Sequence, residues 1–141
     1  MRTVEDETGK RYLLVKQSSE SSRVRDPETG EERHVPNDTI ETVEGASPLA
    51  TAAATVDEPL RRVLTACHDE QALGLLFELD ERGPTDVRVL LARYDLCESD
   101  LHGIVAEFRA AGLVAETTVP GGRGYETTDD ASAALATLRG E

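Results

Sequence analysis

The sequence predicts an α+β fold. A small antiparallel β-hairpin or meander region covers residues 1–45, an Ala/Thr-rich linker covers 46–56, and a mainly helical domain covers 57–141. Three observations predict this. Short apolar runs alternate with turn signals before residue 45. Leu101, Ile104, Val105, Phe108 and Ala111 fall at i, i+3, i+4, i+7 and i+10, one face of an α-helix. After that helix, Leu113–Val119 and Gly124–Thr128 flank the glycine-rich loop Pro120-Gly121-Gly122-Arg123, the pattern of a β-hairpin.

In chain order, Arg11–Gln17 (RYLLVKQ) reads as a strand, Ser18–Ser22 as a polar turn, and Arg23–Arg25 as a half-buried strand. Asp26-Pro27-Glu28-Thr29-Gly30 suits a β-turn, Glu31–Val35 returns as a partner strand, and Thr39–Val43 is a fourth short strand. A lone hairpin is marginal in water, so this region must pack on the helical domain or on a second copy of the chain. GASPLATAAATV, at 45–56, shifts to small residues and reads as a linker that has room for a helical turn or two.

Asp57-Glu58-Pro59 marks a helix start, because a proline in the first turn loses no hydrogen bond. Leu60, Val63, Leu64 and Cys67 form its apolar stripe. A second stripe of Leu73, Leu76 and Leu79, widened by Leu75 and Phe77, stops at Gly83-Pro84. Thr85 or Asp86 caps a short helix, Val87–Tyr94, whose inward residues are Val87, Leu90 and Leu91. The turn Asp95-Leu96-Cys97 leads into the helix ending at Gly112, a residue suited to the left-handed conformation that closes helices. Thr128 caps a last helix with Asp129 and Asp130 in its first turn, where the helix dipole favours acid, and with Ala131, Ala134, Leu135 and Leu138 inward.

Composition bounds the function. Net charge is −13, from 28 acidic and 15 basic residues, and only Lys10 and Lys16 of the bases are lysine. This acidic, lysine-poor balance resembles that of proteins from salt-in halophiles, where molar salt screens self-repulsion over roughly 3 Å. It lacks the overall basic signature of a nucleic-acid binder. No run approaches the ~20 apolar residues of a membrane span, and MRTVEDETGK has no apolar leader core, so the expectation is a soluble, cytoplasmic protein away from the membrane. Cys67-His68 and Cys97 with His102 lack zinc-site spacing, and two cysteines thirty residues apart fit small packed residues better than a disulfide. No metal and no cofactor are expected. No nucleophile elbow, P-loop, dinucleotide fingerprint or HExxH is present, so catalysis is not expected either.

From Cys67 to Leu138 the chain resembles the winged helix–turn–helix transcription regulators of the ArsR, MarR and PadR type. ALGLLFELDERGPTDVRVLLARYDLCESDLHGIVAEFRAAGLV matches their pattern of a helix ending in RGP, a second short helix, a turn, and a recognition helix ending in AGLV. YETTDDASAAL matches their strand end, with a Tyr three residues before a helix-capping Thr. The amino-terminal hairpins bear a general likeness to appendages on haloarchaeal regulators.

The resemblance implies a DNA-binding transcriptional regulator, with double-stranded DNA and a second copy of the chain as partners, since this fold usually reads two half-sites. The last helix and the amino-terminal region are the expected dimer surfaces. The candidate DNA-binding residues are Arg88 and Arg93 on the second helix, Ser99 and His102 on the outward face of the recognition helix, and Arg123 at the tip of the wing. Arg61 and Arg62 add positive charge upstream. Arg88 and Arg93 also fit the solvated face of a short helix, the usual place of such charges, and Cys97 fits a packed small residue in the turn as well as a redox-sensing thiol. The helix from Glu98 to Ala111 carries three acids against one base, Arg109, with Gly103 and Ala106 where family members often have larger polar residues. That surface also fits an alternative, a winged-helix protein-interaction module within a transcription or other nucleic-acid-handling assembly.

Overall fold

Five strands and one short helix build the first of two units in this computed structural model, which describes residues 1–141. Strands β1 (Arg2–Asp6), β2 (Arg11–Gln17), β3 (Ser21–Arg25), β4 (Glu32–Pro36) and β5 (Ile40–Thr42) form an antiparallel sheet in the order β4-β3-β2-β1-β5. The edge strands β4 and β5 are consecutive in sequence, joined only by the 3-10 turn Asn37–Thr39. A flat sheet cannot satisfy that link, so this one curls. Val35 from one edge and Ile40 from the other accordingly pack on the same cluster of Val4, Tyr12, Leu14 and Val24.

The residues of the opposite face, Thr3 and Leu13, are buried where helix α1 (Pro48–Ala53) packs on β1 and β2. Ser47 caps α1 by accepting from the Ala50 N–H, and the Thr3 and Thr51 hydroxyls share a buried hydrogen bond of 2.7 Å.

Two expectations are corrected here. The stretch 46–56 is not a linker: its small residues build a helix of the first unit, which spans Met1–Asp57. A strand also precedes Arg11, because β1 buries Thr3 and Val4 on opposite faces while its acids mask the alternation. The sheet therefore packs on its own curl and on α1.

The second unit, Glu58–Glu141, contains α2 (Glu58–Ala66), α3 (Glu70–Arg82), β6 (Thr85–Asp86), α4 (Val87–Arg93), α5 (Glu98–Ala110), β7 (Val114–Val119), β8 (Gly122–Thr127) and α6 (Asp129–Arg139). Leu76, Leu79, Leu90, Leu101, Phe108, Leu113 and Leu135 are fully buried at its centre. Burying a side chain the size of Phe108 contributes on the order of 2–3 kcal/mol. Asp69, Asp86 and Thr128 cap α3, α4 and α6 by accepting from the N–H groups of Ala72, Arg88 and Ala131. Gly112 closes α5 at φ 72°, with Leu113 N–H donating to Phe108 C=O and Gly112 N–H to Arg109 C=O, the paired bonds of a glycine-closed helix end. The helix is thus turned directly into β7.

Two details differ from expectation. Leu64 and Leu138 are 55% and 42% exposed. Helix α2 buries Val63 fully, and Leu60, Ala66 and the following Cys67 pack partly buried against the same core, so only Leu64 departs from the expected stripe. The hairpin β7–β8 gains a third strand in the order β6-β8-β7, with Thr85 opposite Tyr125 and Asp86 opposite Gly124. Only glycine fits at 124: a Cβ there would lie 2.4 Å from the Thr85 carbonyl oxygen. No helix is long and apolar enough to cross a membrane.

Candidate nucleic-acid interface

Helix α5 is held from both ends. At its start, the Tyr94 hydroxyl in the α4–α5 turn donates to Glu78 and accepts from Arg82 Nε, both on α3. At its end, Arg62 of α2 donates to the Ala111 carbonyl (2.9 Å) and pairs with Asp130 of α6. Leu101, Val105 and Phe108 face the core.

The remaining α5 side chains sort by charge. Asp100 and Glu107, with Ser99 and Gly103, line a cleft of about 320 Å³ whose other wall includes His68 and Asp69 of the α2–α3 turn, and His68 pairs with Glu107. Glu98, His102 and Arg109 lie on the stripe turned to the β7–β8 hairpin, since Arg109 reaches Glu116 of β7 at 3.5 Å and His102 stands 3.7 Å from Glu98 one turn before it. The acid-rich helix is therefore not a uniformly acidic surface. Two of its three acids face away from the hairpin, and its arginine faces toward it.

On the hairpin, residues opposite one another share a face. Val114 and Tyr125 are buried at the base of the face that carries Glu116, Thr118 and Arg123 further out. Arg123 Nε pairs with Glu116 Oε1 at 2.8 Å, so one carboxylate bridges Arg109 and Arg123. An open trough of about 540 Å³ lies between them, lined also by Thr117, Thr118 and Gly122. The turn itself is Pro120-Gly121, with φ 96° at Gly121, which places Arg123 within β8 opposite Thr118 and not at the very tip.

The base of the hairpin is pinned by Asp80 of α3. Its carboxylate accepts from Ser132 Oγ (2.6 Å), Thr127 Oγ1 (3.1 Å) and Arg139 (3.0 Å), and Arg139 also lies over the Phe77 ring. Burial pushes the Asp80 carboxyl up, but these hydroxyl and guanidinium donors more than offset it and hold it below its ordinary value.

The expected site residues do not all converge. His102 and Arg123 lie on the α5 and hairpin surfaces that Arg109 and Glu116 join. Ser99 lines the acidic cleft, its hydroxyl 3.3 Å from Cys97 Sγ. Arg93 is exposed in the last turn of α4, with no ion pair. Arg88 has partners within the chain while its side chain stays 74% exposed: it donates to the Gly121 carbonyl (2.7 Å) and pairs with Asp86, clasping the hairpin turn to the start of α4. The Arg88 guanidinium, then the Arg88 backbone N–H, donates to the Asp86 carboxylate and lowers its pKa, and Asp86 raises Arg88 in return. Arg62 likewise has its partners within the chain.

Sequence reading missed Arg109 and Glu116. Arg109 stands seven residues after His102 on one helical stripe, which is the signal that would have found it. Nothing local marks Glu116. No three His, Cys, Asp or Glu side chains converge to hold a metal. Both cysteines are free thiols, and burial, then Asp69, pushes the Cys67 thiol up, away from reactivity. No curated protein and no solved structure matches the chain. A family model spans residues 1–139, and the chain belongs to that family, DUF7346, a family of unknown function.

Proposed function

We propose that residues 58–141 act as a winged helix–turn–helix that binds double-stranded DNA, with α5 as recognition helix and β7–β8 as wing, in a homodimeric, non-catalytic transcription regulator. The observation that carries this reading is the charge sorting around α5. Arg109 and His102 adjoin the wing face bearing Arg123, while Asp100 and Glu107 line the cleft on the other side. DNA lying against α5 and the wing would meet the arginines, with Arg93 in reach of the flanking backbone and His102 nearest the bases. Arg88 serves by holding the wing in place.

A second reading is a winged-helix protein-interaction module. It is favoured by the pairing of Arg109 and Arg123 on Glu116 and of His102 with Glu98, which leaves little unneutralised charge on the same face. Fluorescence anisotropy with a labelled duplex over a KCl series separates the two. The DNA reading expects log K to fall linearly with log salt, and Arg123→Ala to weaken binding and flatten the slope by roughly 0.9 per lost phosphate contact. Binding indifferent to Arg123→Ala, or no binding, sinks it in favour of the interaction module.

A further inference from the structure

The bridge between α5 and the hairpin suggests how the proposed DNA site is set. We infer that Arg109 and Arg123 form a DNA-phosphate site whose place is held, in the free protein, by the carboxylate of Glu116; this deepens the DNA-binding reading and rests on it.

Four observations carry the inference. The two guanidiniums approach different oxygens of one carboxylate, Arg123 Nε at Oε1 (2.8 Å) and Arg109 Nη1 at Oε2 (3.5 Å). A phosphodiester also presents two anionic oxygens, and guanidinium suits either anion. The site carries one surplus positive charge, since two arginines share one acid. Glu116 makes no hydrogen bond to backbone or hydroxyl that would give it a structural role, and its side chain is 35% exposed, so turning it into water breaks only these two pairs. Arg109 and Arg123 are 49% and 68% exposed and keep donors free for an incoming anion, and Thr117 and Thr118 line the trough beside them.

DNA binding would then exchange a carboxylate for a phosphate at a preformed pair of arginines. Glu116 acts as a built-in competitor, which lowers the affinity for every duplex by a similar factor and leaves the discrimination between duplexes to other contacts. Salt screens exposed pairs of this kind, so the competition is strongest at low ionic strength.

The test is a double-mutant cycle read by duplex affinity across a KCl series, using a labelled mixed-sequence duplex. Glu116→Gln is expected to bind roughly threefold to tenfold tighter at low salt, the value of releasing two exposed ion pairs. Because salt screens the competing pair, that gain should shrink as KCl rises, so the variant's slope should be steeper than the wild type's. Glu126→Gln removes the same charge from the other face of the same hairpin and should gain less. In an Arg109→Ala/Arg123→Ala background the gain from Glu116→Gln should vanish. If the wild-type chain binds DNA but Glu116→Gln gains no more than Glu126→Gln, or its gain survives without the two arginines, the competitor role is overturned and the DNA reading stands. If no variant binds DNA at any salt, both fall.

Discussion

Replacing Asp80 by alanine tests whether a single carboxylate pins the base of the hairpin. Asp80 accepts from Ser132, Thr127 and Arg139, and its side chain is only 13% exposed. Hydrogen bonds to a charged group are each worth about 1.5–3 kcal/mol. The three are not additive, because water reaches Arg139 and the Thr127 and Ser132 hydroxyls can still bond to each other at 3.3 Å. We therefore expect Asp80→Ala to cost about 3 kcal/mol and Asp80→Asn, which keeps one acceptor oxygen, about half that.

Far-UV circular dichroism under a urea gradient suits the measurement, since five of the six α-helices lie in the second unit. The pH dependence has a definite sign. The folded carboxyl is held below its ordinary value. Its contribution is present above the unfolded pKa of about 3.9 and is lost as pH falls through the folded one. Wild type and Asp80→Asn should therefore converge in stability in strong acid. A loss for Asp80→Ala under about 0.5 kcal/mol, the range of ordinary surface changes, or a wild-type advantage over Asn that persists in strong acid, would refute the reasoning.

Other perturbations probe neighbouring parts of the account. Phe108→Ala empties the centre of the second unit and should cost about 3–5 kcal/mol in the same denaturation assay. Gly124→Ala must push β6 away from β8 because of the Thr85 carbonyl, with a cost of about 2 kcal/mol and faster amide exchange at the β6–β8 pairing. Arg88→Ala should speed amide exchange at Gly121 and Gly122 while leaving the salt slope of duplex binding unchanged; a slope flattened by about 0.9 would return Arg88 to the phosphate-contacting role.

Legibility in the sequence followed the range of the interactions. The buried stripe of α5, the glycine closing it, the Asp86 and Thr128 caps and the glycine-rich hairpin turn are all set within a few residues, where periodicity and backbone preference act directly. The pairing of charges is not local. Asp80 meets partners 47 to 59 positions away, and Arg62 meets Asp130 across 68. Glu116 lies among ordinary strand residues, and its role depends on which face the register turns toward α5. The tie of Arg88 to Gly121 spans 33 positions and is equally invisible to a local reading. The Ala-rich stretch around α1 read as a linker because small residues mark both flexible chain and close helix packing, and the packing of α1 on β1 and β2, with the Thr3–Thr51 hydrogen bond, separates the two.

The most direct test of the central claim is chromatin immunoprecipitation of the tagged chain in its own cells at native salt, beside the Arg123→Ala variant. The account predicts discrete promoter peaks that weaken in the variant. A flat profile, or one that follows RNA polymerase and ignores the substitution, would contradict it and direct attention to a protein partner on the face formed by α5 and the hairpin.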